Sequence, residues 1–147
     1  ISHLYGLREA LDMIAEEGME NIWARHKVFG EAVRAAIAAW ATPGGLEFNV
    51  TDPAARANSV TTILTGSINP NQLRRVCEEE AGLTLGLGIG SENESEAFRI
   101  GHMGHLNPPM ILGTLGTIEA ALTAMGAPMG GSGVAAAAVR IAKAMQA

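Results

Sequence analysis

The chain has 147 residues and a formal charge of −5 at pH 7, with 48% hydrophobic and 17% charged residues. That length suits one domain or one part of a larger chain, and the hydrophobic content with low net charge excludes intrinsic disorder. Only 10 Lys and Arg, scattered along the chain, argue against a nucleic-acid partner, and no apolar run reaches the roughly 18 residues of a membrane span.

With 25 alanines and 18 glycines, much of the apolar content is small. Enough larger side chains remain for a modest core, but not for a self-sufficient large enzyme. The lone cysteine, Cys77, cannot form an internal disulfide, so a reducing compartment is expected, by default the cytoplasm. The chain opens on Ile1 rather than Met and shows no secretory signal pattern. It therefore reads as processed or cut from something longer.

Leu4, Leu7, Leu11 and Ile14 lie on one face of a first predicted helix, and Gly18 is a good stop. Ile22, Phe29, Val33, Ile37 and Trp40 mark a second helix, which ends before the breaker cluster Thr42-Pro43-Gly44-Gly45. Asp52-Pro53 marks a turn, and the β-branched run from Ser59 to Thr65 predicts a strand. Asn69-Pro70 opens a third helix with a capping side chain, a proline at N1 and Gln72 at the capping-box position. Leu73 and Val76 face inward, Glu78, Glu79 and Glu80 face outward, and Gly82 ends it.

Leu83 to Ile89 reads as a short strand loosened by glycine, 90–95 as a polar turn, and Ala97 to Met103 as a further strand antiparallel to the first of this pair. Asn107-Pro108 repeats the cap-plus-proline start, and Ile111, Leu115, Ile118, Leu122 and Met125 form the most regular stripe in the chain. Gly130-Gly131-Ser132-Gly133 reads as a flexible break before an alanine-rich final helix from Val134 to Gln146. The order predicts an α+β layout, a small antiparallel or mixed sheet with helices packed on one side.

Arg99 is the most informative residue. Within a strand, Phe98 and Ile100 point to one face and Arg99 to the other. A guanidinium held by a sheet stays charged and presents a rigid fork that fits a carboxylate. From spacing alone, an exposed edge-strand arginine or a structural ion pair is the better reading.

His102 and His105 form an H-x-x-H pair with no further ligand at matching spacing, and His102 shares parity with Phe98 and Ile100. A hydrogen-bonded packing histidine is the better reading. His3 and His26 sit on helices with no partner in view. Gly86, Gly88 and Gly90 do not make a dinucleotide-binding loop and instead suggest close backbone approach or a bent strand. Cys77 lies beside three glutamates, which disfavour a thiolate. Lys27 and Lys143, the only lysines, fit solvated helix surfaces. The residues alone hold no complete catalytic constellation.

The run Ile1-Ser2-His3-Leu4-Tyr5-Gly6-Leu7-Arg8-Glu9-Ala10-Leu11 and the run Phe98-Arg99-Ile100-Gly101-His102-Met103-Gly104 resemble the C-terminal part of class V aminotransferases. The nearest group is the alanine–glyoxylate and serine–glyoxylate enzymes. Glu17-Gly18-Met19-Glu20-Asn21-Ile22-Trp23, the Ser59-Val60-Thr61-Thr62 strand and the glycine-rich segment before Arg99 fit the same family in the same order.

The resemblance implies the small C-terminal domain of a fold-type I homodimer that uses pyridoxal 5′-phosphate. Residues 1–41 would be helices linking to a large domain and 42–147 a small α+β domain. The resemblance also implies that Arg99 binds the carboxylate of small amino-acid and oxo-acid substrates, with an amino group passing from alanine or serine to glyoxylate or pyruvate. The family's Schiff-base lysine lies upstream of this chain, and neither Lys27 nor Lys143 matches it. No catalytic or cofactor-binding residue is therefore expected here. The usual basic turn before the arginine is replaced by Ser91-Glu92-Asn93-Glu94-Ser95-Glu96. A free-standing, non-catalytic ligand-binding or dimerisation module is the alternative.

Overall fold

The structure, a computed structural model, describes residues 1–89 and 96–146. The polar turn expected at 90–95 lies outside them.

Helix α1 (Ser2–Glu17) forms as its periodicity predicts, yet none of its residues is buried. Leu4 is 68% exposed and Leu11 55%. Gly18, at φ 82°, turns the chain into α2 in a conformation that other residues adopt only at a cost. Helix α2 (Met19–Trp40) becomes a core element from Phe29 onward, where Ala32, Val33, Ala36, Ile37 and Trp40 are fully enclosed. Small residues at 32 and 36 let helix α5 (Gly133–Met145) lie close along it.

Among the described residues the sheet has four strands in the order β1–β2–β4–β3, all antiparallel. Strand β2 (Val60–Leu64) and strand β4 (Ala97–Gly101) form its centre. Strand β1 (Glu47–Phe48) was not expected, because two residues leave no periodicity to read. Strand β3 (Gly86–Leu87) is a short remnant of the segment expected over 83–89. Strand β4 stops before His102, but the His102 N–H still donates to Ser59 O at 2.8 Å.

Thr61, Ile63, Phe98 and Ile100 are buried on the helix side, whereas Val60, Thr62, Leu64 and Arg99 are half-buried on the other face. Enclosing each large apolar side chain contributes on the order of 1.5–3 kcal/mol. The α+β layout with helices on one side is thus present, and its sheet is antiparallel rather than mixed.

The caps anticipated from Asn-Pro pairs form. Asn69 Oδ1 accepts from the Gln72 N–H at 3.1 Å to start α3 (Pro70–Arg75). Asn107 Oδ1 accepts from the Met110 N–H at 3.0 Å to start α4 (Pro108–Ala124). After α3 the chain widens into a π-type turn over Val76–Glu80. In α4 the stripe Ile111, Leu115, Ile118 and Leu122 is buried as its spacing predicts.

The segment 130–133 is not the flexible break its composition suggests. A Cβ at Gly133 would lie 2.4 Å from the Trp40 ring, and one at Gly130 2.9 Å from Ala41 O. These glycines are there because α2 approaches too closely for a side chain. Ser132 caps α5, its Oγ accepting from the Ala135 N–H at 3.2 Å.

Glu119 joins three helices. Its Oε2 accepts from Trp40 Nε1 at 2.8 Å and from the Val134 N–H at 3.1 Å, and its Oε1 accepts from Ser132 Oγ at 2.9 Å. Burial alone would raise the carboxyl pKa, but these donors outweigh it and hold it below its ordinary value. Among the described residues no helix is long and apolar enough to cross a membrane.

Candidate functional site

Strand alternation decides what each residue of Phe98–His102 can do. Phe98 and Ile100 are enclosed, so the intervening side chain must emerge on the sheet face away from the helices. Arg99 emerges there. It sits between Thr62 of β2 and Gly86 of β3 in the strand register. Its Nε–H donates to Leu87 O at 2.5 Å. Among the described residues its two terminal nitrogens have no hydrogen-bond partner, and no carboxylate lies within ion-pair distance.

Five other arginines show what occupied ones look like, while Arg8 and Arg75 lie exposed on helices. Arg25 clamps Glu17 through Nε at 2.6 Å and Nη2 at 2.7 Å, and also donates to Gly104 O at 2.7 Å. Arg34 donates to Ala57 O at 3.0 Å and Asn58 Oδ1 at 3.1 Å. Arg74, buried in α3, donates to Ala97 O at 3.0 Å and to Asn71. Arg140 pairs with Glu31. Arg56 donates to Val50 O at 2.9 Å and stacks with its guanidinium carbon 3.9 Å from the Phe48 ring centroid. Each of these guanidinium groups ties two parts of the chain together. Arg99 instead is anchored at one nitrogen and, among the described residues, has no partner for the other two, an arrangement that can give a carboxylate two parallel hydrogen bonds.

His102 lies on the opposite face, fully buried. Its Nδ1 is 3.0 Å from Asn58 O and its Nε2 2.9 Å from Thr61 Oγ1. A carbonyl only accepts, so Nδ1 carries the proton and Nε2 accepts from the threonine. Burial, reinforced by the nearby charge of Arg34, lowers its pKa despite the hydrogen bond to Asn58. It is a packing histidine, as its parity suggested. His105 is exposed beyond the strand end, so the H-x-x-H pair does not converge. No group of three or more possible metal ligands is found among the described residues.

His26, expected to have no partner, has two. Its Nδ1 donates to Ile22 O at 2.7 Å and its Nε2 accepts from the Gly104 N–H at 3.0 Å. Arg25 and His26 together pin the loop after β4 to α2, a link between residues nearly 80 positions apart that no local motif announces. Cys77 is buried in the helical layer, and burial raises its thiol pKa, which disfavours nucleophilic chemistry.

Lys27 and Lys143 are both exposed on helices, away from the strands that carry Arg99. A cofactor held as an imine on lysine therefore finds no anchoring amine on this sheet.

Comparison with known proteins places the chain in a family. The family described as "Aminotransferase class-V" matches residues 1–94. The chain is 42% identical over 139 residues to serine–glyoxylate aminotransferase of Arabidopsis thaliana, covering 93% of this chain and 33% of that protein. It is 35% identical over 134 residues to L-aspartate–glyoxylate aminotransferase of Paracoccus denitrificans, covering 90% of this chain and 33% of that protein. The crystal structure of pyridoxamine–pyruvate aminotransferase from Mesorhizobium loti superposes with a TM-score of 0.82 at 30% identity, over 94% of this chain and 35% of that one. The chain thus spans about a third of the length of the relatives it matches. A family match over residues 1–94, relatives aligned over nine-tenths of the chain and a shared fold lead to one conclusion: the chain belongs to the class V aminotransferase family.

Proposed function

We propose that this chain is the C-terminal domain of a pyridoxal-phosphate-dependent aminotransferase and that Arg99 binds the α-carboxylate of its substrates. The amino donor is a small amino acid, serine or alanine, and the acceptor glyoxylate or pyruvate. The observation that carries this reading is the Arg99 guanidinium, fixed at Nε by Leu87 O and, among the described residues, without a partner at either terminal nitrogen, on the sheet face away from the helices. Names of relatives that act on glyoxylate support the acceptor.

When bound, pyridoxal phosphate supplies the electron sink for breaking the bonds at Cα. This chain's contribution is orientation. With the carboxylate gripped by two parallel hydrogen bonds, the substrate loses rotation about its own axis, and Cα is presented at a fixed angle to the reacting group. The amine that holds the cofactor would come from residues outside these 147.

Residues 1–41 would carry the chain across to the larger domain, and the exposed row Leu4, Leu7 and Leu11 supports a covered position for α1 in a cytoplasmic homodimer.

The test is Arg99→Ala in the full-length protein. KM for both amino and oxo acid should rise by about a hundredfold, the scale of a lost bidentate charge-assisted pair, while the absorbance of the bound cofactor persists. Unchanged kcat/KM for both substrates would remove Arg99 from the site.

A further inference from the structure

Gly86 stands directly across from Arg99 in the β3–β4 register, so a side chain there would emerge on the same face, beside the arginine's stem. Its backbone does not demand glycine, because Gly86 is not among the positive-φ glycines. Glycine in a strand gives up packing and adds entropy cost, so its presence calls for a reason of space. That reason is the arginine. A Cβ built on Gly86 would lie 3.1 Å from Arg99 Cβ and 3.5 Å from Arg99 Nε. The close approach anticipated from the glycine-rich segment is therefore between a strand and the arginine side chain.

We propose that Gly86 is a positioning residue for substrate binding. Its missing side chain leaves the slot in which the Arg99 arm lies flat over β3, so that Nε reaches Leu87 O and the two terminal nitrogens face outward. The guanidinium is planar, so fixing the Nε–H direction fixes the plane and heading of the whole fork. Leu87 is the neighbour of Gly86 on the same short strand, which makes slot and anchor one unit. A methyl group at position 86 presses on the base of the stem at Arg99 Cβ, 3.1 Å away, and comes into ordinary contact with Nε at 3.5 Å, and a shift at the base grows along the arm to the atoms that would touch substrate. This assignment rests on the reading of Arg99 as the carboxylate binder.

The experiment is a double-mutant cycle in the full-length enzyme with Gly86→Ala, Arg99→Ala and the pair. Two readouts serve: KM for serine and glyoxylate, and the affinity of ethanolamine, which shares serine's amine and hydroxyl but has no carboxylate. Gly86→Ala should raise KM for both acids about tenfold, within the loss expected from a sub-ångström misplacement of a binding group. It should leave ethanolamine affinity unchanged and add nothing further to KM in the Arg99→Ala background. An equal penalty in both backgrounds, an equal loss for ethanolamine, or no penalty at all would overturn the assignment of Gly86. Should Gly86→Ala fold poorly, thermal unfolding decides in an Arg99→Gly background, which removes the Cβ that Arg99→Ala would keep: the Tm loss from Gly86→Ala should vanish there, and a loss that persists overturns the proposal. A harmless Arg99→Ala, by contrast, defeats the carboxylate-binding reading itself and is seen separately in the same cycle.

Discussion

Replacing Glu119 by alanine removes one carboxylate on which α2, α4 and α5 converge. Trp40 is fully buried, so its Nε1–H, now 2.8 Å from Glu119 Oε2, would be left without an acceptor. A buried donor without a partner costs about 1–3 kcal/mol. The Val134 N–H and Ser132 Oγ lose the same acceptor at the start of α5, adding about 0.5–1 kcal/mol on the scale of a lost helix cap. The expected loss is near 3 kcal/mol, a large part of the roughly 5–15 kcal/mol that holds a typical domain together. With a urea m-value of about 2 kcal/mol per M, the midpoint should fall by about 1.5 M. Tryptophan fluorescence reports it well, because Trp40 is enclosed and Trp23 is 63% exposed.

Glu119→Gln keeps an acceptor but loses the charge, so it should fall between. Its difference from the parent should depend on pH. The carboxyl pKa is lower in the fold than its ordinary 4.5. The unfolded chain therefore takes up its proton first as pH falls. The carboxylate's contribution is complete above about 4.5 and is lost as pH falls through the folded value. A loss under about 0.5 kcal/mol for alanine, or a glutamine difference that stays flat down to pH 3, would refute the convergence of these helices on one charge.

Gly133→Ala places a methyl group against the Trp40 ring and should destabilise the protein by about 1–3 kcal/mol through overpacking, read as a lower Tm; a neutral result would mean that α5 can slide along α2. His102 has a folded pKa below its ordinary 6.5, so the unfolded chain gains a proton first on acidification. Stability should decline as pH falls below about 6.5 and level off below the folded value, and His102→Gln should flatten that limb of a pH series of urea midpoints. An imidazole resonance that titrates at or above 6.5 would contradict the burial of this side chain.

Much of the frame was legible because it is written locally. The Asn69-Pro70 and Asn107-Pro108 starts need only a side-chain oxygen and a free N–H a few residues away. The Ile111–Leu122 stripe needs only helical spacing. The opposed faces of Arg99 and His102 follow from strand parity alone. What escaped was set by partners distant along the chain. Glu119 becomes a junction only when Trp40, 79 positions earlier, is folded against it. The glycines at 130 and 133 look mobile in composition and are in fact where α2 presses on the chain. The slot at Gly86 needs the register of β3 on β4, which no single stretch of residues encodes.

The alternation along β4 keeps two kinds of change apart. Residues 98 and 100 answer to the packing beneath the sheet, and residue 99 with its lateral neighbours 62 and 86 answers to whatever meets the opposite surface. A domain built this way can alter one row of positions on that surface while the foundation stays untouched. Drift in the foundation, in turn, need not disturb that row.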